Sequence, residues 1–301
     1  MTKIYSAAMT PLTENNLLDV KSLERMLNRN IDQGVNGFFM LGSMGEGLII
    51  RDEMKEEVVK EACKIIDGRA DTLVGISDYG LERTLDNVKT YRKYDFSHYV
   101  LVLPNKNLLT VNNPLDYVLE VADAVDRPMY FYYLPSFNNC PFTIDQFREL
   151  LAHPMIVGIK NSSGLMYTRR ELLLLKDEGV DFQLLEGQEW SIDEALILGC
   201  DGFLCGMTSL VGGQMKKIST AVGEGNFDEA QLLQREMIHC YHGIFGHDLT
   251  TIWCGQKYAL KKLGIFSSSK TLVQGQDEML TPEVKERIDT CLEEYSHVFG
   301  C

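Results

Sequence analysis

Eight times along this chain a short apolar run is followed by a longer segment with helical spacing, and this alternation constrains the fold more than any other feature. The runs are IYSAAM (4–9), GFFML (37–41), TLVGIS (72–77), HYVLVL (98–103), MYFYYL (129–134), MIVGIK (155–160), FQLLEG (182–187) and GFLCGM (202–207). Their length and their β-branched and aromatic content suit strands covered on both faces. In the intervening RDEMKEEVVKEACKII (51–66), Met54, Val58, Ala62, Ile65 and Ile66 recur at steps of three and four, the spacing of an amphipathic helix. Gly, Asp, Asn or Pro punctuates most junctions, as in DQGVNG, DGRAD, VDRP, DEGVD and GCDG. Alternating βα units imply a parallel sheet, and eight of them imply closure into a (β/α)8 TIM barrel, a size that 301 residues accommodate. The other arrangement is an open doubly wound sheet, but its GxGxxG turn does not follow the first run.

From 212 to 299 the helical pattern continues alone, in FDEAQLLQREMIHCYHGIF (227–245), TTIWCGQKYALKKLG (250–264) and TPEVKERIDTCLEEYSHVF (281–299). No linker separates these segments from the rest. The expected organisation is a barrel over 1–211, with 212–301 supplying the last barrel helix and a helical extension packed on the barrel flank as one structural unit. Trp253 and Tyr258 sit at helical spacing in that extension and suit packing. A net charge of −14 argues against nucleic acid or an anionic membrane as a partner, since both select clustered Lys and Arg. The eight cysteines are scattered with no CxxC pair, which favours reduced thiols over a disulfide framework or zinc site. His239 and His242 share a helix face without a neighbouring carboxylate ligand, so no metal is expected. No stretch approaches ~20 apolar residues, and a soluble, cytoplasmic protein is the expectation.

Active sites of such barrels lie at the C-terminal ends of the strands. That rule selects Ser43 and Met44, Asp78, Asn105 and Lys106, Tyr132 to Pro135, Lys160 to Ser162, Gly187 to Glu189, and Met207 to Ser209. Acidic residues end too few of these strands for a metal-dependent enolase-type barrel. Lys160 is the anomaly, an amine among Ile156, Val157 and Ile159, and burying an unpaired ammonium is expensive. It either pairs with a carboxylate or reaches solvent, or it is kept as a nucleophile that condenses with a carbonyl. Tyr132 ends the neighbouring fifth strand, with Tyr130 and Leu134 on the same face, and a phenol there can move the protons that imine chemistry requires. GSMGEG (42–47), after the second strand, is either an ordinary Gly-rich turn or a cradle whose N–H groups and Ser43 hydroxyl hold a carboxylate.

Taken together, GSMGE (42–46), YYLP (132–135) and GIK (158–160) resemble the dihydrodipicolinate synthase / N-acetylneuraminate lyase family, the pyruvate-dependent class I aldolases. That family carries a G-[ST]-[ST]-G-E turn, a Y-x-x-P segment and G-x-K in the same order, and the likeness runs from about residue 4 to the end. The resemblance implies that Lys160 forms a Schiff base with a 2-keto acid such as pyruvate and that Tyr132 is the proton shuttle. It implies no metal or organic cofactor. Ser43, Met44 and Gly45 would meet the substrate carboxylate, and Gly187, Glu189, Met207 and Phe137 would surround the second-substrate pocket, where Lys106 either binds a distal anionic group or is only a solvated loop lysine. Glu46 reads as a structural acceptor for the turn. Relatives of this kind are homo-oligomers, usually tetramers or dimers.

Departures from the family pattern narrow the chemistry. Met44 replaces the turn's second hydroxyl, LPNKN (103–107) replaces a tyrosine segment, and Phe137 stands where the synthases carry an arginine. Beside Glu189, Trp190 and Met207 replace polar residues that serve a glycerol tail. The expectation is therefore an aldolase or lyase for a 2-keto-3-deoxy sugar acid or similar 4-hydroxy-2-keto acid. The alternatives are N-acetylneuraminate lyase or dihydrodipicolinate synthase proper, and a non-catalytic keto-acid-binding or scaffold member of the family.

Overall fold

Each of the eight apolar runs forms a strand within one or two residues of its expected bounds. In the computed structural model, which describes residues 1–109 and 113–300, they are β1 (Lys3–Ala7), β2 (Gly37–Met40), β3 (Asp71–Gly75), β4 (His98–Val102), β5 (Met129–Tyr133), β6 (Ile156–Asn161), β7 (Gln183–Glu186) and β8 (Gly202–Cys205). All neighbours are parallel and the strands close in chain order, β8 pairing with β1. This is the (β/α)8 barrel that the alternation implies. The surrounding helices are α1 (Val20–Asp32), α2 (Asp52–Ile66), α3 (Leu81–Tyr91), α4 (Pro114–Ala124), the single turn α5 (Pro135–Asn138), α6 (Ile144–Leu151), α7 (Met166–Asp177), α8 (Ile192–Ile197) and α9 (Thr208–Gly223). The last barrel helix, α9, is interrupted at Val211, whose φ of −122° and ψ of 34° are not helical, so its regular part begins at Gly212.

The extension comprises α10 (Phe227–Phe245), α11 (Ile252–Lys262), α12 (Gln276–Met279), α13 (Pro282–Glu294) and α14 (Ser296–Phe299). Its starts follow local chemistry. Asn226 caps α10 and Thr281 caps α13, where Pro282 takes the first-turn position that needs no N–H. No described helix is long and apolar enough to cross a membrane. Cys301 lies outside the described residues, and the other seven cysteines are free thiols.

Two apolar cores result from the alternation of strand side chains. The larger lies between sheet and helices; the smaller fills the barrel, with Tyr5, Ala7, Phe39, Leu73, Val100, Tyr130, Tyr132, Leu185 and Leu204. Such an interior is packed by layers of inward side chains and is no pore. The β5–β6 register carries an irregularity that decides which residues share it. Met129 pairs with Ile156, but Tyr130 pairs with Gly158 and Tyr132 with Lys160, so β6 holds one extra residue at Val157. A bulge of this kind re-aims every following side chain. Gly158 makes room for it: a methyl group there would come within 2.6 Å of both the Gln183 carbonyl oxygen and the Tyr130 ring.

Gly158→Ala therefore forces two rigid neighbours apart, and urea unfolding should register a loss of ~1–3 kcal/mol. Gly80→Ala, at a site with no atom within 4 Å of the added carbon, should stay within ~0.5 kcal/mol of the parent.

Candidate active site

Among the described residues four cationic side chains are buried: Lys55, Lys160, Arg169 and Lys257. Three have acidic partners. Lys55 meets Asp78 at 3.2 Å, Arg169 meets Glu186 at 2.9 Å, and Lys257 is paired with Glu46. Lys160, only 4% exposed, makes no ion pair and no side-chain hydrogen bond among the described residues. Its Nζ instead lies 3.8 Å from the centre of the Tyr132 ring and 5.3 Å from that of Phe39. Aromatic faces attract a cation weakly compared with a carboxylate, and they place no hydrogen-bond donor on the nitrogen lone pair once the proton departs. Phe39 meets Tyr132 edge-on at 6.1 Å, which fixes the phenol beside the amine.

The turn after β2 is held from three directions. Thr10 Oγ1 donates to the Gly45 carbonyl at 2.6 Å, Trp253 Nε1 donates to the Ser43 carbonyl at 3.0 Å, and Gly47 N–H donates to the Gly42 carbonyl at 3.1 Å. Glu46 takes φ +59°, a left-handed conformation uncommon for a side chain of its size. Its buried carboxylate accepts from Lys257 and, at 2.7 Å, from the Leu272 N–H. Burial pulls the Lys257 ammonium below the usual lysine range, an effect that the Glu46 charge opposes. Glu46 is thus the acceptor it was expected to be, but its donors come from the C-terminal extension. That extension also supplies wall residues of the mouth.

A cavity of about 230 Å³ opens there, lined by Phe39, Leu41, Gly42, Ser43, Glu46, Leu48, Ile49, Ser77, Tyr79, Val102, Tyr132, Leu134, Phe137, Trp253 and Val273. Of the candidates drawn from the sequence, Ser43, Tyr132 and Phe137 line this cavity, and Lys160 lies against its Tyr132 and Phe39 walls. Met44 is half-buried and turns toward the barrel top, where a methyl group on Gly206 would come within 2.8 Å of its Cγ. Gly45 lies under the turn, bound to Thr10.

The remaining candidates lie elsewhere. Lys106 is exposed in a one-turn 3-10 helix and is absent from the lining. The Glu189 carboxylate accepts from the Gly206 and Met207 N–H groups, at 2.7 and 3.0 Å, and so caps the start of α9. Met207 is fully buried at that cap, and Gly187 donates its N–H to the Asn161 carbonyl at 2.8 Å. Asn161 Oδ1 in turn accepts from Ser163, so the NSSG segment builds a turn. Asp78 is consumed by Arg83 and Lys55. Trp190 packs edge-on against Tyr241 and His242. No cluster of three or more metal-ligating side chains occurs among the described residues. Trp253 and Val273 were not legible as site residues: Trp253 reaches a carbonyl 210 positions away, and no local pattern marks such a contact.

The profile of the dihydrodipicolinate synthetase family matches residues 1–287. The chain belongs to this family. It is accordingly a lyase of the class I, pyruvate-dependent aldolase type. Among similar proteins, a 4-hydroxy-tetrahydrodipicolinate synthase of Ligilactobacillus salivarius is 24% identical over 262 residues, spanning 87% of this chain and 88% of that one. An N-acetylneuraminate lyase of Escherichia fergusonii is 25% identical over 293 residues, spanning 97% and 92%. The fold is shared with the dihydrodipicolinate synthase of Bacteroides thetaiotaomicron, with a TM-score of 0.89 at 22% identity over 97% of this chain and 98% of that one. An Acinetobacter baumannii synthase, solved with pyruvate, has a TM-score of 0.84 at 20% identity over 97% and 98%. Two activities recur among these family relatives, so family membership leaves the second substrate open.

The Glu46–Lys257 pair makes a testable demand on this architecture. Lys257→Met leaves a buried carboxylate with one donor fewer and should cost ~3–5 kcal/mol in urea unfolding. Adding Glu46→Gln should recover part of that loss; an additive double mutant would show that the two side chains are not coupled.

Proposed function

We propose that Lys160 condenses with the C2 carbonyl of a 4-hydroxy-2-keto acid and that the enzyme splits it into pyruvate and an aldehyde, or runs the reverse condensation. The observation that carries this reading is the Lys160 amine itself, buried without a carboxylate and stacked on the Tyr132 ring. Addition of the neutral amine to C2 gives a carbinolamine, and loss of water gives a protonated imine. The imine is the electron sink. When the C3–C4 bond breaks, its electron pair enters the imine to form an enamine, and the C4 hydroxyl releases its proton as the aldehyde forms. C3 then takes up a proton, and water hydrolyses the imine to release pyruvate and restore Lys160.

Tyr132, next to the amine, is the group we assign to passing protons at the carbinolamine and at the C4 oxygen. The Ser43 hydroxyl and the backbone N–H groups of Met44 and Gly45 are assigned to the substrate carboxylate. Phe137 supports a second substrate other than that of the lysine-pathway synthase, because no cation stands at its place to meet a second carboxylate.

Enamine formation can be followed without knowing the aldehyde. In D2O the wild type should exchange the methyl protons of pyruvate for deuterium, seen by proton NMR. Lys160→Ala should lose the exchange, and Tyr132→Phe should slow it ~10²–10⁴-fold. Absence of exchange in the wild type, or full exchange in Lys160→Ala, would contradict the proposal.

A further inference from the structure

The aldehyde half of the substrate can be read from the cavity wall, given that the reading of Lys160 above is right. The mouth beyond Tyr132 is built from Leu48, Ile49, Val102, Leu134, Phe137 and Val273, with Trp253 closing it. Its polar groups are few and mostly occupied. Glu46 is held by Lys257 and Leu272, the Trp253 N–H by the Ser43 carbonyl, and the Ser77 hydroxyl accepts from the Val102 N–H at 2.8 Å. Among the described residues of the wall, the only charged side chain is therefore one already neutralised. The hydroxyls of Ser43, Tyr79 and Tyr132 and the O–H of Ser77 remain as donors, and those of Ser43 and Tyr132 belong to the keto-acid end in the proposed mechanism.

A polyhydroxylated chain entering this space would exchange water for aliphatic and aromatic side chains, and each hydroxyl left unpaired would oppose binding. An apolar group entering the same space loses nothing and removes apolar wall from water. The cavity volume, about 230 Å³, lies below the ~300–1,000 Å³ of sites that hold drug-sized ligands. The guest is small.

We propose that C4 of the substrate bears a compact, uncharged apolar group, aryl or branched alkyl, in place of a sugar chain, so that the aldehyde released is hydrophobic. The bond changes are those already given. C3–C4 breaks, its electron pair passes to the imine, the C4 hydroxyl loses its proton, and the only co-reactant is the water that frees pyruvate. Trp253 and Val273 give the C-terminal extension a direct part in this choice. This reverses the sugar-acid expectation drawn from the sequence while keeping the chemistry at Lys160.

The test compares 4-hydroxy-4-phenyl-2-oxobutanoate with 2-keto-3-deoxygluconate, following pyruvate release, with the pyruvate methyl exchange run in parallel. The expected result is a kcat/KM at least ~100-fold higher for the phenyl compound, the scale on which apolar pockets and missing hydrogen bonds discriminate. Ile49→Gln, at an exposed part of the wall, should reduce that ratio ~10-fold, as should Phe137→Gln. Methyl exchange accompanied by equal or greater activity on the sugar acid, or by no cleavage of the phenyl compound, would overturn the apolar specificity alone. No methyl exchange would overturn the Lys160 reading beneath it.

Discussion

One extra residue in β6 sets the face on which the amine is presented. Without the slip at Val157, Tyr132 would lie opposite Ile159, and Lys160 would follow the parity of Tyr133, which packs in the core outside the barrel. With it, the amine and the phenol share the interior and stack at 3.8 Å. The requirement propagates downward through the barrel. Gly158 must lack a side chain because the Tyr130 ring occupies the space beside it, and the hydroxyl of Tyr130 is anchored to Gln183 on β7. Three neighbouring strands thus agree on one register.

The treatment of buried charge follows the same economy. Lys55, Arg169 and Lys257 each serve as struts, tying a helix to the strand-end loops through Asp78, Glu186 and Glu46. Burial pushes the Glu186 carboxyl up, and Arg169 together with the Gly187 and Gln188 N–H groups opposes that rise. Such pairs offset desolvation without much net gain, but losing one partner is costly. Lys160 alone is withheld from such a pairing among the described residues, and an amine kept from acids is one that can act as a nucleophile. The turn that faces it is locked to the extension through Glu46, Trp253 and Leu272, so the helices from α10 onward form part of the candidate site as well as of the flank.

Strands and barrel closure were legible because short β-branched runs separated by amphipathic segments admit few other folds. Lys160 and Tyr132 were legible for a similar reason: a charge at the end of an apolar run is costly, and both residues end neighbouring strands, although only the β6 bulge gives them the same parity. The bulge that makes this parity hold left no mark in the sequence beyond Gly158. Roles that depend on distant contacts were illegible. Glu189 looks like a pocket residue at its strand end, yet its partners are the amides of Gly206 and Met207. Trp253 looks like helix packing, yet it closes the mouth. Met44 reads as a missing hydroxyl, while in three dimensions it is a side chain laid over Gly206. In each case a residue's type was visible and its neighbour was not.

The central claim is that the buried, unpaired amine of Lys160 is the carbonyl-reactive group of this enzyme. Incubation with pyruvate and sodium borohydride, followed by intact-mass and peptide mass spectrometry, measures it directly. The account predicts a single reduced pyruvate adduct on the peptide that carries Lys160 and none in Lys160→Ala. No adduct, or an adduct that persists in Lys160→Ala or maps to another lysine such as Lys106 or Lys257, would contradict it.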